Sequence, residues 1–329
     1  MPKLRVGILG AARIAPAAMI RPARNSEEVE VVAVAARDPE KAARFAAKHG
    51  IARVLPTYQQ LVEDPDVDAV YNPLPNGLHG RWTLAALAAG KPVLCEKPFT
   101  ANAAEAATVA DASGRAGLVV MEAFHYRYHP LFARVLELLH NGAVGEVRTI
   151  ETWLCFPLPS RRDIRWQLDL AGGATMDAGC YTIHMLRHLA AAEPRVVSAR
   201  AKLRSPEVDR AMEIEAAFGD GRTGRAICSM WSSRVLRVGL RVTGDAGELR
   251  VLNPLGPNIY HRLVVKTTGG RHAEHLTRRP TYEFQLDAFA DAVLRGVAPI
   301  TGPADAIANM TVIDAAYGAA GLKERQPTA

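Results

Sequence analysis

The chain has 329 residues, 49% hydrophobic and 22% charged, which allows a substantial core in about two domains and excludes extensive disorder. Its 40 Lys+Arg against 34 Asp+Glu leave a net charge of +6, spread along the chain with a densest cluster at Arg161, Arg162 and Arg165. That excess reads as solvated surface, not as a nucleic-acid footprint.

Over the first 120 residues apolar runs alternate with helical patterns. Strands are expected at Arg5–Leu9, Val29–Ala35, Ala69–Asn72, Val93–Cys95 and Leu118–Met121, with a short one near Val54. Helices are expected between them at Ile14–Ala23, Glu40–His49, Tyr58–Val62, His79–Ala89 and Ala103–Ser113. Strand, crossover helix and parallel strand is the economical assembly. After a helix at Arg127–His140 the pattern changes to period two in Glu146–Phe156, Val196–Leu203, Ile214–Phe218, Arg225–Trp231 and Leu236–Val242, with a turn at Gly244–Gly247. A second domain with a large, mostly antiparallel sheet is expected. Helices at Phe284–Leu294 and Ala304–Leu322 are expected to pack back near the first domain, and Lys323–Ala329 reads as a frayed tail. The division is thus 1–124, α/β, and 125–329, α+β.

Four cysteines, Cys95, Cys155, Cys180 and Cys228, lack C-x-x-C spacing and read as reduced core thiols of a cytoplasmic protein. No apolar run approaches roughly 18 residues, and Met1-Pro2-Lys3 passes directly into a strand, so no membrane partner or targeting segment is expected.

The first strand runs into Gly7-Ile8-Leu9-Gly10-Ala11-Ala12-Arg13-Ile14-Ala15, where a dinucleotide fold places its phosphate loop. Gly10 holds the first glycine position of the usual G-x-G-x-x-G, with Ala12 and Ala15 in the other two. The backbone N–H groups of Ala12, Arg13 and Ile14 would face pyrophosphate at a helix start. The second strand ends in Ala36-Arg37-Asp38. An NAD-preferring protein usually places a carboxylate at Ala36, whereas Arg37 and Lys41 can meet a 2′-phosphate; NADP is the expected cofactor, with NAD possible. Downstream, Glu96-Lys97-Pro98 closes a buried strand, and Gly172-Gly173 leads to Asp177 and Tyr181, four residues apart. A lysine and a phenol together suit proton transfer at a carbinol.

These motifs, with Tyr71-Asn72-Pro73-Leu74-Pro75-Asn76-Gly77-Leu78-His79 and Met121 to Pro130 between them, resemble the Gfo/Idh/MocA oxidoreductases, in particular the dihydrodiol and NADP-dependent D-xylose dehydrogenase branch. The resemblance covers nearly the whole chain. It implies a Rossmann domain, a second domain on a large sheet, a substrate cleft between them, and a homodimer or dimer of dimers. It assigns Lys97 to catalysis and Glu96 and Pro98 to cofactor positioning. Asp177 and Tyr181 fall on the substrate side and Pro73 on the cofactor side, while Asn76 and His79 follow a strand end, where the nicotinamide ribose would be met. Tyr181 stands where many relatives carry histidine, and His184 where they carry aspartate. A regular helix would aim Asp177, Tyr181 and His184 at one face. Arg127, Arg165 and Trp166 could line a polyol pocket. No metal is expected: His125 and His129 near Glu122 are interrupted by Pro130 and an Arg-Tyr pattern. The implied activity is NADP-linked hydride transfer on a sugar, polyol or cyclic diol. A catalytically silent sugar sensor and a reductase of another carbonyl are the alternatives.

Overall fold

A computed structural model describes residues 2–328. In the first unit, six strands form one sheet: β1 (Leu4–Leu9), β2 (Val29–Ala35), β3 (Arg53–Leu55), β4 (Ala69–Asn72), β5 (Val93–Cys95) and β6 (Val120–Glu122). Their order is β3-β2-β1-β4-β5-β6 and every pairing is parallel. The central strands β4 and β5 are buried at every residue, as expected of strands covered on both faces. The intervening helices are α1 (Arg21–Arg24), α2 (Pro39–His49), α3 (Tyr58–Glu63), α4 (His79–Ala88) and α5 (Ala103–Ala116). Asp38, Thr57 and Asn102 cap α2, α3 and α5 by accepting a backbone N–H three residues on, which fixes where each begins. The expected helix at Ile14–Ala23 is different: a wide π turn spans Pro16–Ile20, with the Arg21 N–H on the Pro16 carbonyl, before α1 begins. Pro22 has no N–H for a regular bond to Ala18, so the α ladder is broken there.

In the second unit a one-turn 3-10 helix, His125–Tyr128, precedes α6 (Pro130–His140), which the His129 side chain caps through the Leu131 N–H. The sheet comprises β7 (Val147–Cys155), β8 (Arg195–Ser205), β9 (Val208–Ala217), β10 (Thr223–Ser229), β11 (Arg237–Gly244), β12 (Gly247–Leu252), β13 (Arg262–Thr267) and β14 (Gly270–Glu274). Its order is β14-β13-β12-β11-β7-β10-β9-β8, antiparallel throughout except for β7 beside β10. One face lies under α7 (Cys180–Ala190), tied by the Thr152 hydroxyl to the Thr182 carbonyl at 2.8 Å. The other face therefore carries Glu151, next to Thr152 in a period-two strand. A register row across it reads Glu215, Arg225, Glu151, Arg241, and each charge in the row is ion-paired with its neighbour. Strands β12 to β14 were absent from the expected set: β14 (Gly-Arg-His-Ala-Glu) has no apolar alternation to read, whereas β12 and β13, with Leu249 and Val251 and with Leu263-Val264-Val265, carry a pattern that was passed over.

The remaining helices are α8 (Thr281–Arg295) and α9 (Pro303–Ala319). The chain divides into one unit running to Phe124 and joined by Tyr282–Ile307, and a second made of His125–Thr281 and Ala308–Thr328. The boundary at 124 therefore needs a supplement: 282–307 belongs with the first unit, in line with the expectation for the helix at Phe284–Leu294, whereas α9 from Ala308 on, expected there too, belongs with the second. There Glu283 accepts from Asn25, Arg295 pairs with Glu28, and Thr301 brackets Glu122 from both sides, its carbonyl taking the Glu122 N–H and its hydroxyl donating to the Glu122 carbonyl. Pairings across such sequence distances leave no trace in periodicity. The tail expectation is also corrected. Arg325 is 1% exposed and bonded on several sides, so 323–328 is anchored; Ala329 lies outside the described residues. Among the described residues no helix is long and apolar enough to cross a membrane.

Candidate active site

In the first unit β1 ends at Gly10, whose φ of +88° is open to glycine and strained for other residues. A Cβ there would stand 3.0 Å from Leu74, so this strand end has room for glycine alone. Ala12 is half-buried, and Arg13 and Ile14 are exposed beside it. At the end of β2, Ala36 is buried while Arg37 and Lys41 are exposed. Asp38 is engaged as the cap of α2, its Oδ1 holding the Lys41 N–H at 3.0 Å. A glycine strand end and two free-standing cations without a competing carboxylate fit a dinucleotide carrying an extra phosphate.

Lys97 is half-buried between two immobilised neighbours. The Glu96 N–H donates to the Asn72 carbonyl at 3.0 Å, and its carboxylate accepts the Tyr71 hydroxyl at 2.7 Å. Pro98 follows a cis peptide bond, and its carbonyl lies 2.7 Å from His79 Nδ1. The Phe99 N–H then donates to Glu122. His79, expected at the cofactor ribose, is instead enclosed at 1% exposure, with its Nε2 2.6 Å from the Leu74 carbonyl. Burial, helped by the Lys97 charge, pulls its pKa down to about 4 against the pull of the two carbonyls. His79 thus joins the Leu74 loop to the Glu-Lys-Pro segment, donating to one of the two carbonyls when neutral and to both when protonated. Pro73 is buried in that loop, and Asn76 opens the one-turn 3-10 helix Asn76–Leu78 that leads into α4. Tyr282 stands in the same unit near the Glu96 charge, its phenol pushed up chiefly by burial.

In the second unit the Gly172-Gly173 turn leads into a wide π turn, Thr175–Gly179, and then into α7. The π turn puts Asp177 out of phase with a regular helix, so the expected single face of Asp177, Tyr181 and His184 is not formed. Asp177 pairs with Arg165, Nε to Oδ1 at 3.0 Å, and Arg165 also reaches Asp163 at 3.2 Å. Tyr181 is 8% exposed, its ring 5.9 Å from His125 and 6.1 Å from Tyr126. His184 is fully enclosed: Nδ1 lies 2.5 Å from the Tyr126 hydroxyl and Nε2 3.2 Å from His188 Nε2. It supports Tyr126, and its enclosure argues against the substrate contact expected for it. Arg127 lies over the Phe132 ring, and Arg204 over Trp166. The buried Nε of Arg127 and Nε1 of Trp166 meet no acceptor among the described residues.

Residues 4–124 match the model of an oxidoreductase family with an NAD-binding Rossmann fold, and residues 132–250 match the GFO/IDH/MocA C-terminal domain. The chain belongs to the Gfo/Idh/MocA oxidoreductase family. It is 36% identical over 315 residues to D-xylose 1-dehydrogenase (NADP(+)) 2 of Haloferax volcanii, covering 95% of this chain and 96% of that one. It is 36% identical over 297 residues to a dTDP-3,4-didehydro-2,6-dideoxy-alpha-D-glucose 3-reductase of Streptomyces violaceoruber, covering 89% and 86%. Among solved structures, a 3-ketoreductase from Actinomadura kijaniata in complex with NADP and TDP-benzene superposes with a TM-score of 0.91 at 29% identity, covering 97% and 98%.

As a Gfo/Idh/MocA member the protein is an oxidoreductase, with a parallel dinucleotide sheet and a large, mostly antiparallel second sheet. Sequence reading missed Asp209, Tyr317 and Arg325. Asp209 is enclosed, with Oδ2 taking the Thr175 N–H at 2.8 Å and its hydroxyl at 2.7 Å. Only the buried charge at an otherwise alternating position of β9 could have flagged it.

Proposed function

We propose that this protein moves a hydride between NADP(H) and a carbinol or carbonyl carbon of a sugar, polyol or cyclic diol. The observation that carries the reading is the pair of supported proton-handling groups. Lys97 is pinned through Glu96 and Pro98 after β5 in the first unit, and in the second Tyr181 opens α7 directly after the π turn whose Asp177 is paired with Arg165. When bound, NADP supplies the hydride acceptor and NADPH the donor. Gly10, Ala12, Arg13 and Ile14 would hold its pyrophosphate, and Arg37 and Lys41 its 2′-phosphate. In the oxidative direction Tyr181 takes the hydroxyl proton as the C–H bond breaks, and the Lys97 cation favours the developing alkoxide. In reduction Tyr181 returns that proton. Asp177, held by Arg165, orients a neighbouring hydroxyl.

A scan of NADPH formation over aldoses, polyols and trans-dihydrodiols, and of NADPH consumption over ketosugars, tests the reading. Absence of turnover in both directions over the whole panel would sink it and favour a sensing role. A second reading, reduction of a ketosugar linked to a nucleoside diphosphate, is favoured by the exposed Arg161 and Arg162 in the loop leading to Arg165. Preference for a dTDP-linked ketone over the free sugar in the same assay selects it. The reading includes a cytoplasmic home, in keeping with four buried free thiols, and a dimer through the uncovered face of the second sheet. Light scattering that finds only monomer at micromolar concentration removes the dimer.

A further inference from the structure

The Gly172-Gly173 turn that launches Asp177 and Tyr181 is gripped from two sides. On one side a Cβ at Gly172 would stand 2.6 Å from the carbonyl oxygens of Arg165 and Gln167, which already take the N–H groups of Gly173 and Gly172. On the other, a Cβ at Gly173, where φ is +135°, would stand 2.2 Å from Asp209 Oδ1, 2.9 Å from the Tyr317 hydroxyl and 3.1 Å from Arg325. Both glycines are therefore demanded by what is packed against the turn.

The second grip is a buried polar cluster. Arg325 donates from Nε to the Gly172 carbonyl at 2.8 Å and from its other nitrogens to Glu207 at 2.6 Å and Lys323 at 3.2 Å. It reaches Asp209 Oδ1 at 3.3 Å and stacks over the Tyr317 ring at 4.1 Å. Asp209 Oδ1 also accepts the Tyr317 hydroxyl at 3.1 Å, while its other oxygen holds Thr175. An arginine and an aspartate that are 1% and 0% exposed persist only when paired and hydrogen-bonded, and this pair is. The segment bearing Arg325 is fastened at both ends: the Lys323 N–H donates to Glu207 and the Thr328 hydroxyl to the Asp169 carbonyl at 2.5 Å. It runs as a strap from the β8–β9 turn to the one-turn helix at Leu168–Leu170.

We propose that residues 323–328 are a positioning strap for the reaction, with Arg325 locking the Gly172-Gly173 turn and, through Asp209 and Thr175, setting where the π turn places Asp177 and Tyr181. This rests on the hydride-transfer reading above. Arg325 is a positioning residue: it acts on Tyr181 through the turn, across 153 positions of sequence from Gly172.

The test uses the full-length enzyme with Arg325→Gln and Arg325→Lys, and a chain ending at Leu322. Turnover is expressed per NADPH-binding site from fluorescence titration, so unfolded protein is not counted. Because a displacement of the order of an ångström costs up to about a hundredfold in rate, kcat per site should fall at least ~10-fold in Arg325→Gln and in the shortened chain. The KM for NADP should stay within about twofold, and added methylguanidine should partly restore Arg325→Gln. Arg325→Lys, which keeps the charge and loses the planar fork, should lie between. Hydrogen exchange of the Thr175–Tyr181 amides should quicken in Arg325→Gln while β10 amides are unchanged. Turnover per site within twofold of wild type overturns the proposal, and so does parallel loss of NADPH binding in all variants, which would make Arg325 a general stability element. If wild type shows no turnover, the functional reading has failed; unchanged exchange at Thr175–Tyr181 is then what overturns the strap.

Discussion

At the residue scale, the proposed chemistry rests on Lys97 and Tyr181. Lys97→Met keeps the stem and removes the cation, so turnover should fall about 10²-fold, the scale of a lost acid–base group, with NADPH binding changed only a few-fold; steady-state rates and a binding titration check both. Tyr181→Phe deletes one hydroxyl and should depress turnover on a similar scale. His184→Ala should behave differently. It removes a buried 2.5 Å partner of the Tyr126 hydroxyl, at a cost of about 1–3 kcal/mol, so its main sign should be a lower melting temperature. The opposite ordering of these two variants would move proton transfer to His184. Arg37→Ala should raise the KM for NADP about tenfold, equal to roughly 1.4 kcal/mol, through a lost charge-assisted contact. NAD use should hardly change; equal effects on both cofactors would make Arg37 structural.

At the scale of elements, the Gly172-Gly173 turn is the least tolerant joint. Gly173→Ala adds backbone strain at φ +135° and a Cβ within 2.2 Å of Asp209, together about 2–4 kcal/mol. Denaturant unfolding should show that loss, whereas Gly219→Ala, which meets nothing within 4 Å, should not. The same turn marks where sequence reading stops. Strands β2, β4 and β5 were readable to the residue because each is a short apolar run with clear ends; motif spacing singles out Gly10, Lys97 and Tyr181, whose roles belong to the proposal above. The π turn at Thr175–Gly179 was not readable, since Gly179 weakens a regular helix without indicating what replaces it. His79 was placed at the ribose because a strand-end histidine suits that role, and only the two carbonyls around its ring reveal a bracket. Arg325 was passed over as tail because its partners lie more than a hundred positions away.

For the molecule as a whole, acid should weaken both units together. His79 in the first unit and His129 in the second each titrate near 4 when folded, lowered chiefly by burial, against 6.5 for a free histidine. Between those values the unfolded chain binds more protons, so the stability these groups confer is complete above about pH 6.5 and is lost as pH falls toward 4. The size is of the order of a few kcal/mol in all. Urea midpoints at pH 7, 5.5 and 4.5 should decline steadily, and a midpoint that is flat over this window would mean that neither ring is held neutral.

The return of Tyr282–Ile307 to the first unit sets an order of events during synthesis. On the ribosome the parallel sheet can pair as soon as β6 emerges. Yet Glu122, which receives the Phe99 N–H just after Lys97, has its own backbone secured by Thr301. The first unit therefore emerges first yet is completed only after most of the second has been made, and a nascent chain stopped before Thr301 should leave the Lys97 segment unbraced however well its sheet has formed.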